Sequence, residues 1–271
     1  MNQLNTKKRR IYDLGANNGD DIPYYLKKAD LVIAVEANPK LAQGMRVKYE
    51  KDISSGKLFI ENCVITTNES KKLVPFYLYK NDHIVSQFMK PGEPQINNFE
   101  EVMLPSMSII DLVKKYGDPF YIKIDLEGYD QEILRTLFEN KIFPEWISAE
   151  SHSIEIFALL VSSNFYKSFN LIDGGTISKK YNNVKIQTNS GEELFAFLPH
   201  SAGPFGSDLK SDWLTANDLF FLLAYEGLGW KDIHATNKIL AKPQSNSFSY
   251  FARKFFLKKI IPKFLRSIIL K

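Results

Sequence analysis

The chain has 271 residues, 44% hydrophobic and 24% charged, with a formal net charge of +4 and one cysteine, Cys63. That length buries a sizeable core in one large domain or two small ones. A single cysteine excludes an internal disulfide and fits a reducing compartment, and no stretch reaches the roughly 18 apolar residues of a transmembrane helix. The positive charge is local: residues 248–271 hold seven Lys or Arg and no acid, so the rest has 28 basic against 31 acidic residues and no bulk signal for nucleic acid.

The N-terminal MNQLNTKKRR has no apolar run before the first strand and does not read as a secretory signal. Arg9 to Leu14 reads as a short strand with Asp13 at its end, followed by a turn carrying Gly15, Asn17 and Gly19. Gly15 lets the chain turn sharply; Gly19 admits a ligand or close helix packing. The spacing D-x-G-x-N-x-G differs from the dinucleotide G-x-G-x-x-G, and the acids Asp20 and Asp21 stand at the helix start. A pyrophosphate favours a bare helix N-terminus, whereas acids there favour a ligand with ammonium and sulfonium groups. S-adenosylmethionine is such a ligand.

Ile22 to Lys28 reads as the first helix, with Pro23 in its first turn. The second strand, Leu31 to Val35, ends in Glu36, 23 residues after Asp13. A carboxylate there can accept both hydroxyls of a ribose, a reading that serves NAD equally well. A helix is expected from Pro39 to about Lys51, and a third strand from Leu58 to Thr66 whose Asn62 and Cys63 would face an adenine. Val74 to Tyr79 reads as a strand, and the polar stretch Lys80 to Asn98, which holds His83, as a covering loop.

Ser108 to Lys115 reads as a helix, Phe120 to Ile124 as a strand, Asp130 to Phe138 as a helix and Trp146 to Glu150 as a strand ending near His152. Lys167 to Ile172 and Glu193 to Leu198 are expected to form a closing antiparallel hairpin. Strands alternating with helices predict an α/β fold, a mostly parallel sheet covered on both faces. Ligands in such sheets bind beyond the carboxyl ends of the strands. Asp13, Glu36, Asp125, Glu127 and His152 all fall there. Asp125 and Glu127 could instead cap the following helix, and His152 could be a structural histidine. Asp125, Glu127 and His152 could also hold Mg²⁺, although nothing in their spacing demands a metal. The loop His200 to Leu209 is expected to shape an acceptor pocket, with Trp213, Trp230 and His234 either contacting a sugar or packing in the core.

DLGANNGD, VEANP and YIKIDLEGYDQEIL together resemble the FkbM family of S-adenosylmethionine-dependent methyltransferases. The third motif is the most distinctive, and HSAGPFGSDL and GLGWKDIHA extend the resemblance. It implies a Rossmann-like class I methyltransferase fold and methyl transfer to oxygen, often on sugars, polyketides or glycolipids. Carried over, Asp13, Gly15, Asn17 and Gly19 would hold the methionine end of the cofactor, Glu36 the ribose, and Asp125, Glu127 and Gly128 would face the reaction. Asn18 stands where many members have valine.

His152 has the intrinsic pKa of a base that takes a proton from a sugar hydroxyl, and Asp125 is the alternative. Ser245 to Ser249 reads as a linker, dividing the chain into a domain of residues 1–244 and a segment of residues 245–271. In that segment Leu257, Ile260, Ile261, Phe264, Leu265 and Ile268 recur on one helical face opposite Lys259, Lys263 and Arg266. A basic amphipathic segment reads as binding an anionic membrane surface; docking on the chain itself or on a second subunit is the alternative. The expectation is a cytoplasmic O-methyltransferase, peripheral at the inner membrane face, acting on a sugar or glycolipid. A nucleotide-dependent oxidoreductase and a non-catalytic, membrane-tethered cofactor-binding module are the competing readings.

Overall fold

Apolar runs such as Leu31–Val35 are buried on both faces, which only a sheet covered by helices on each side can satisfy. In the computed structural model, which describes residues 8–67, 73–81 and 85–241, seven strands form that sheet. They are β1 (Arg10–Leu14), β2 (Leu31–Val35), β3 (Leu58–Glu61), β4 (Tyr121–Ile124), β5 (Trp146–Glu150), β6 (Ser168–Asp173) and β7 (Lys231–Thr236). Their order is β6-β7-β5-β4-β1-β2-β3. The pairs from β3 to β5 are parallel, and β7 lies antiparallel between β5 and β6. This is the Rossmann-like, mostly parallel arrangement that the sequence leads one to expect.

Alternating side chains supply two apolar layers. Tyr12, Leu14, Ile33, Ile122 and Ile124 pack with Leu112, Ile133 and Leu137 on one face. Ile11, Val32, Ala34 and Tyr121 pack with Tyr24, Tyr25 and Phe205 on the other. Helix α1 (Ile22–Lys28) follows β1, with Pro23 in its first turn. Helix α2 (Pro39–Lys48) follows β2, capped by Asn38, whose side chain accepts from the Lys40 amide.

Three expectations are corrected. The helix expected to reach Lys51 stops at Lys48, and a short second helix, α3 (Glu50–Ser54), follows. Tyr49 interrupts them, its hydroxyl donating to the Gly19 carbonyl at 2.7 Å. The strand expected over 58–66 divides: Val64–Thr66 leaves the sheet to pair in parallel with Ser106–Ser108. The break falls at Asn62, whose Nδ2 donates to the carbonyls of Glu36 and Ala37, 2.9 Å each. The partner of β6 is β7, not residues 193–198; Gly191–Phe195 instead forms a separate hairpin with Val184–Thr188. The closing antiparallel pair exists, but its two strands are far apart in the chain. His83 and residues 245–271 lie outside the described residues, and no helix among the described residues is long and apolar enough to cross a membrane.

Candidate active site

The carboxyl ends of β1, β2, β4 and β5 open into one cavity of about 420 Å³. Its base is the turn after β1. Gly15 has φ +83°, and a Cβ there would stand 1.9 Å from the Asp125 carbonyl oxygen. Glycine is therefore required for β1 and β4 to finish side by side. The amides of Gly15 and Ala16 both donate to the Val35 carbonyl, at 3.0 and 2.9 Å, which brings the end of β2 to the same point. Gly19 also has positive φ, but its Cα faces Ile22 and Met45, so it serves helix packing and does not border the cavity.

Glu36 borders the cavity and is locked in place. One carboxylate oxygen accepts the Asn17 amide at 2.8 Å, the other the Asn38 amide at 2.7 Å. Burial pushes its pKa up to about 7 against those two hydrogen bonds. Asn17 holds a left-handed backbone, φ +49°, and its buried Oδ1 has no hydrogen-bond partner. Cys63, Val64, Ile65, Phe88 and Ala37 make the neighbouring wall apolar. Asn62 does not border the cavity; its amide is spent on the backbone.

The opposite end is acidic. Lys123 is buried, with Nζ 3.1 Å from Asp125 Oδ2 and 3.7 Å from Asp13 Oδ1. Burial opposes its charge, but the carboxylates of Asp125, Asp13, Asp21 and Asp232 outweigh that and hold its pKa above the ordinary lysine value. Asp13 lies beneath the cavity, not on its wall, so its service to a ligand runs through Lys123 and the turn. Burial raises Asp13 to about 7. Sequence reasoning passes over Lys123, although an apolar strand interrupted by one lysine shortly before Asp125 is a readable signal.

Glu127 adopts a left-handed backbone, φ +48°. Such strain in a residue other than glycine concentrates at functional sites. Burial, and then the charges of Asp125 and Glu150, push its pKa up to about 8. Neither Asp125 nor Glu127 caps the following helix (Asp130–Glu139), whose N-cap Tyr129 has no side-chain cap hydrogen bond; both acids border the cavity. His152 Nε2 is 2.8 Å from Glu150 Oε2 and 4.0 Å from Glu127 Oε2. The hydrogen bond to Glu150, then the neighbouring carboxylates, raises His152 to about 9 against partial burial. The hydrogen bond to Glu150 thus favours the charged imidazole over the neutral one.

His200 and Trp230 complete the wall. The loop carrying His200 is fixed to the start of α1. Asp21 accepts from Ser201 Oγ and from the Ala202 amide, the latter at 3.0 Å. Further along, Lys28 pairs with Asp208 at 2.5 Å, and Asp208 also accepts from the Tyr24 hydroxyl and the Gln187 amide. Trp213 packs on Trp146, ring centroids 5.5 Å apart. His234 is buried on β7 with its pKa pushed down to about 3 by burial, so both are core residues. No group of three or more His, Cys, Asp or Glu among the described residues is arranged to hold a metal ion.

The family profile described as the methyltransferase FkbM domain matches residues 13–162, more than half of the chain. The chain belongs to the FkbM methyltransferase family. No curated protein matches it. Among solved structures, methyltransferase FkbM from Methylobacillus flagellatus KT is 14% identical, with a TM-score of 0.39 over 60% of this chain and 40% of that one. This chain thus spans well under half the length of that relative. Precorrin-6y C5,15-methyltransferase from Geobacter metallireducens GS-15 is 9% identical, with a TM-score of 0.37 over 87% of this chain and 84% of that one. These likenesses are distant, and the family assignment rests on the profile. Asp13, Glu36, Asp125, Glu127, Glu150 and His152 lie inside the matched range, while His200 and Trp230 lie beyond it.

Proposed function

We propose that this FkbM-family chain transfers the methyl group of S-adenosylmethionine to a hydroxyl of a sugar in a glycan or glycolipid. The supporting observation is the division of the cavity. Glu36 stands between an apolar wall on one side and the carboxylates of Asp125, Glu127 and Glu150 on the other. The residues fit that cofactor. Ala37, Cys63, Val64 and Phe88 suit an adenine, Glu36 suits the ribose hydroxyls, and the unpartnered Asn17 Oδ1 is an acceptor left for the ammonium. The acidic end favours a cation over a pyrophosphate.

When bound, the cofactor supplies a methyl carbon on a positively charged sulfur. The chain orients the acceptor hydroxyl and receives its proton. Glu127 is the base in this reading: its proton affinity matches a task near pH 8. His152, charged through its bond to Glu150, is a positioning residue that favours ionised Glu127 across 4.0 Å. In-line positioning supplies most of the acceleration. The basic segment 248–271 would carry the enzyme to an anionic membrane surface, where a glycolipid acceptor resides.

Calorimetric titration with S-adenosylmethionine, S-adenosylhomocysteine and NAD tests the cofactor. Micromolar binding of the first two, lost in Glu36→Ala, is expected. Binding of NAD alone would overturn the proposal.

A further inference from the structure

Trp230 is a large aromatic on the cavity wall that nothing in the cofactor reading uses. It precedes β7 and is 55% exposed, an unusual position for an indole. One side of the ring is pinned. A Cβ on Gly174 would come within 2.5 Å of the indole Cε2 and Nε1, so only a glycine lets the ring lie against that backbone. The Gly174 amide donates to the Trp230 carbonyl at 3.1 Å, and the Gly229 amide to the Ser151 carbonyl at 3.2 Å. These bonds tie residues 229–230 to the ends of β5 and β6. Among the described residues, no other ring and no cation stacks on Trp230, and its Nε1 has no hydrogen-bond partner. The result is a braced aromatic plate on the wall of the cavity that Glu127, Glu150 and His152 also line.

We propose that Trp230, braced by Gly174, is the stacking platform for a neutral sugar ring, whose hydroxyls are received by Glu127 and Glu150. This rests on the methyl-transfer reading and deepens it. The chemistry selects the class. A pyranose has an apolar face of C–H groups that buries well against an indole. Its rim of hydroxyls matches carboxylate acceptors and a free indole N–H donor. An acidic sugar or a phosphate near the reacting hydroxyl would meet at least two carboxylates of like charge. The platform lies outside residues 13–162 while Glu127 and Glu150 lie inside, so part of acceptor choice rests on a stretch that the family profile does not reach.

The test uses the full-length protein with indole nitrogens labelled, which gives one signal for each of Trp146, Trp213 and Trp230; Trp230→Phe assigns the third. Methyl glycosides of glucose, galactose, mannose, fucose and rhamnose are added in the presence of S-adenosylhomocysteine, with glucuronate and putrescine as charged probes. The expected result is a shift of the Trp230 signal with at least one neutral glycoside, and none with glucuronate. Trp230→Ala should weaken that glycoside about tenfold, equivalent to about 1.4 kcal/mol, and Trp230→Phe should largely retain it. No response to any neutral glycoside, or a response to putrescine alone, overturns the platform while calorimetric binding of S-adenosylhomocysteine leaves the cofactor reading standing. A neutral glycoside that moves Trp230 in a protein that binds no S-adenosylhomocysteine keeps the platform and overturns the methyl-transfer reading.

Discussion

The two halves of the sheet build their parts of the cavity by different means. The β1–β2–β3 half makes most of its contribution from one continuous stretch, residues 15–65, in which a glycine turn, a carboxylate and an apolar wall follow one another, with Phe76 and Phe88 added from further along. The β4–β5–β7 half gathers Asp125, Glu127, Glu150, His152, His200 and Trp230 from segments far apart in the chain. The first is a local motif, the second a product of long-range pairing. In the proposed reading, the former serves the common cofactor and the latter a particular acceptor.

The largest expected effect falls where the halves meet. Gly15→Ala forces a methyl group into the Asp125 carbonyl and a strained positive φ. Thermal unfolding should show a loss of about 4 kcal/mol or more, the exceptional end for a point substitution. A stable Gly15→Ala variant that still binds cofactor would mean the two strand ends are free to separate. Next is the clasp of the distant half. Asp208→Ala strands the buried Lys28 ammonium and should cost about 3–5 kcal/mol. The double substitution Lys28→Met with Asp208→Leu should recover most of it; failure to recover would show that the bonds to Tyr24 and Gln187 matter more than the charge pair.

A smaller effect sharpens the acidic end. In Glu150→Gln the His152 resonance should titrate well below its expected value of about 9, nearer an ordinary histidine. An unchanged titration would remove Glu150 as the cause. Stability should follow pH in one direction. Asp13, Glu36 and Asp130, at about 7 when folded, and Glu127, at about 8, all sit above ordinary carboxylates. Between about pH 4 and 8 the folded ligand-free chain therefore binds more protons than the unfolded one, and its stability falls as pH rises. His152 adds a contribution that is complete below about 6.5 and lost through about 9. The melting temperature should drop by several degrees from about pH 5 to about pH 9, and a rise would contradict the burial of these acids. The smallest effect on the fold is removal of residues 245–271. Cosedimentation with phosphatidylserine vesicles should be lost while S-adenosylhomocysteine affinity is kept.

The same division governs what can be read from the sequence. The bounds of α1 and β2 follow from a proline start and an unbroken apolar run, which are local signals. Strand β7, KDIHAT, begins with two charged residues, and its burial comes from being inserted between two other strands. No window of sequence announces that, so the local pattern points instead to residues 193–198 as the partner of β6. At the site, Glu36, Asp125, Glu127 and His152 are legible because each ends or follows a strand. Lys123 is legible only as a lone charge interrupting an apolar strand, and its partners come from the fold. The charged state of His152 cannot be read at all, because it depends on a hydrogen bond that only the finished fold creates.

The insertion of β7 has a consequence in time. A chain emerging from the ribosome presents β1 to β5 in an order that lets each new strand find its neighbour at once. Strand β6 then appears before its own neighbour exists, and waits until residue 236 has emerged for β7 to settle between it and β5. Trp230 arrives with that last strand. Asp125, Glu127, Glu150 and His152 thus come together with β4 and β5, and Trp230 joins the cavity wall in one late step. In the proposed reading, the wall that receives the nucleoside stands before the platform that selects the acceptor.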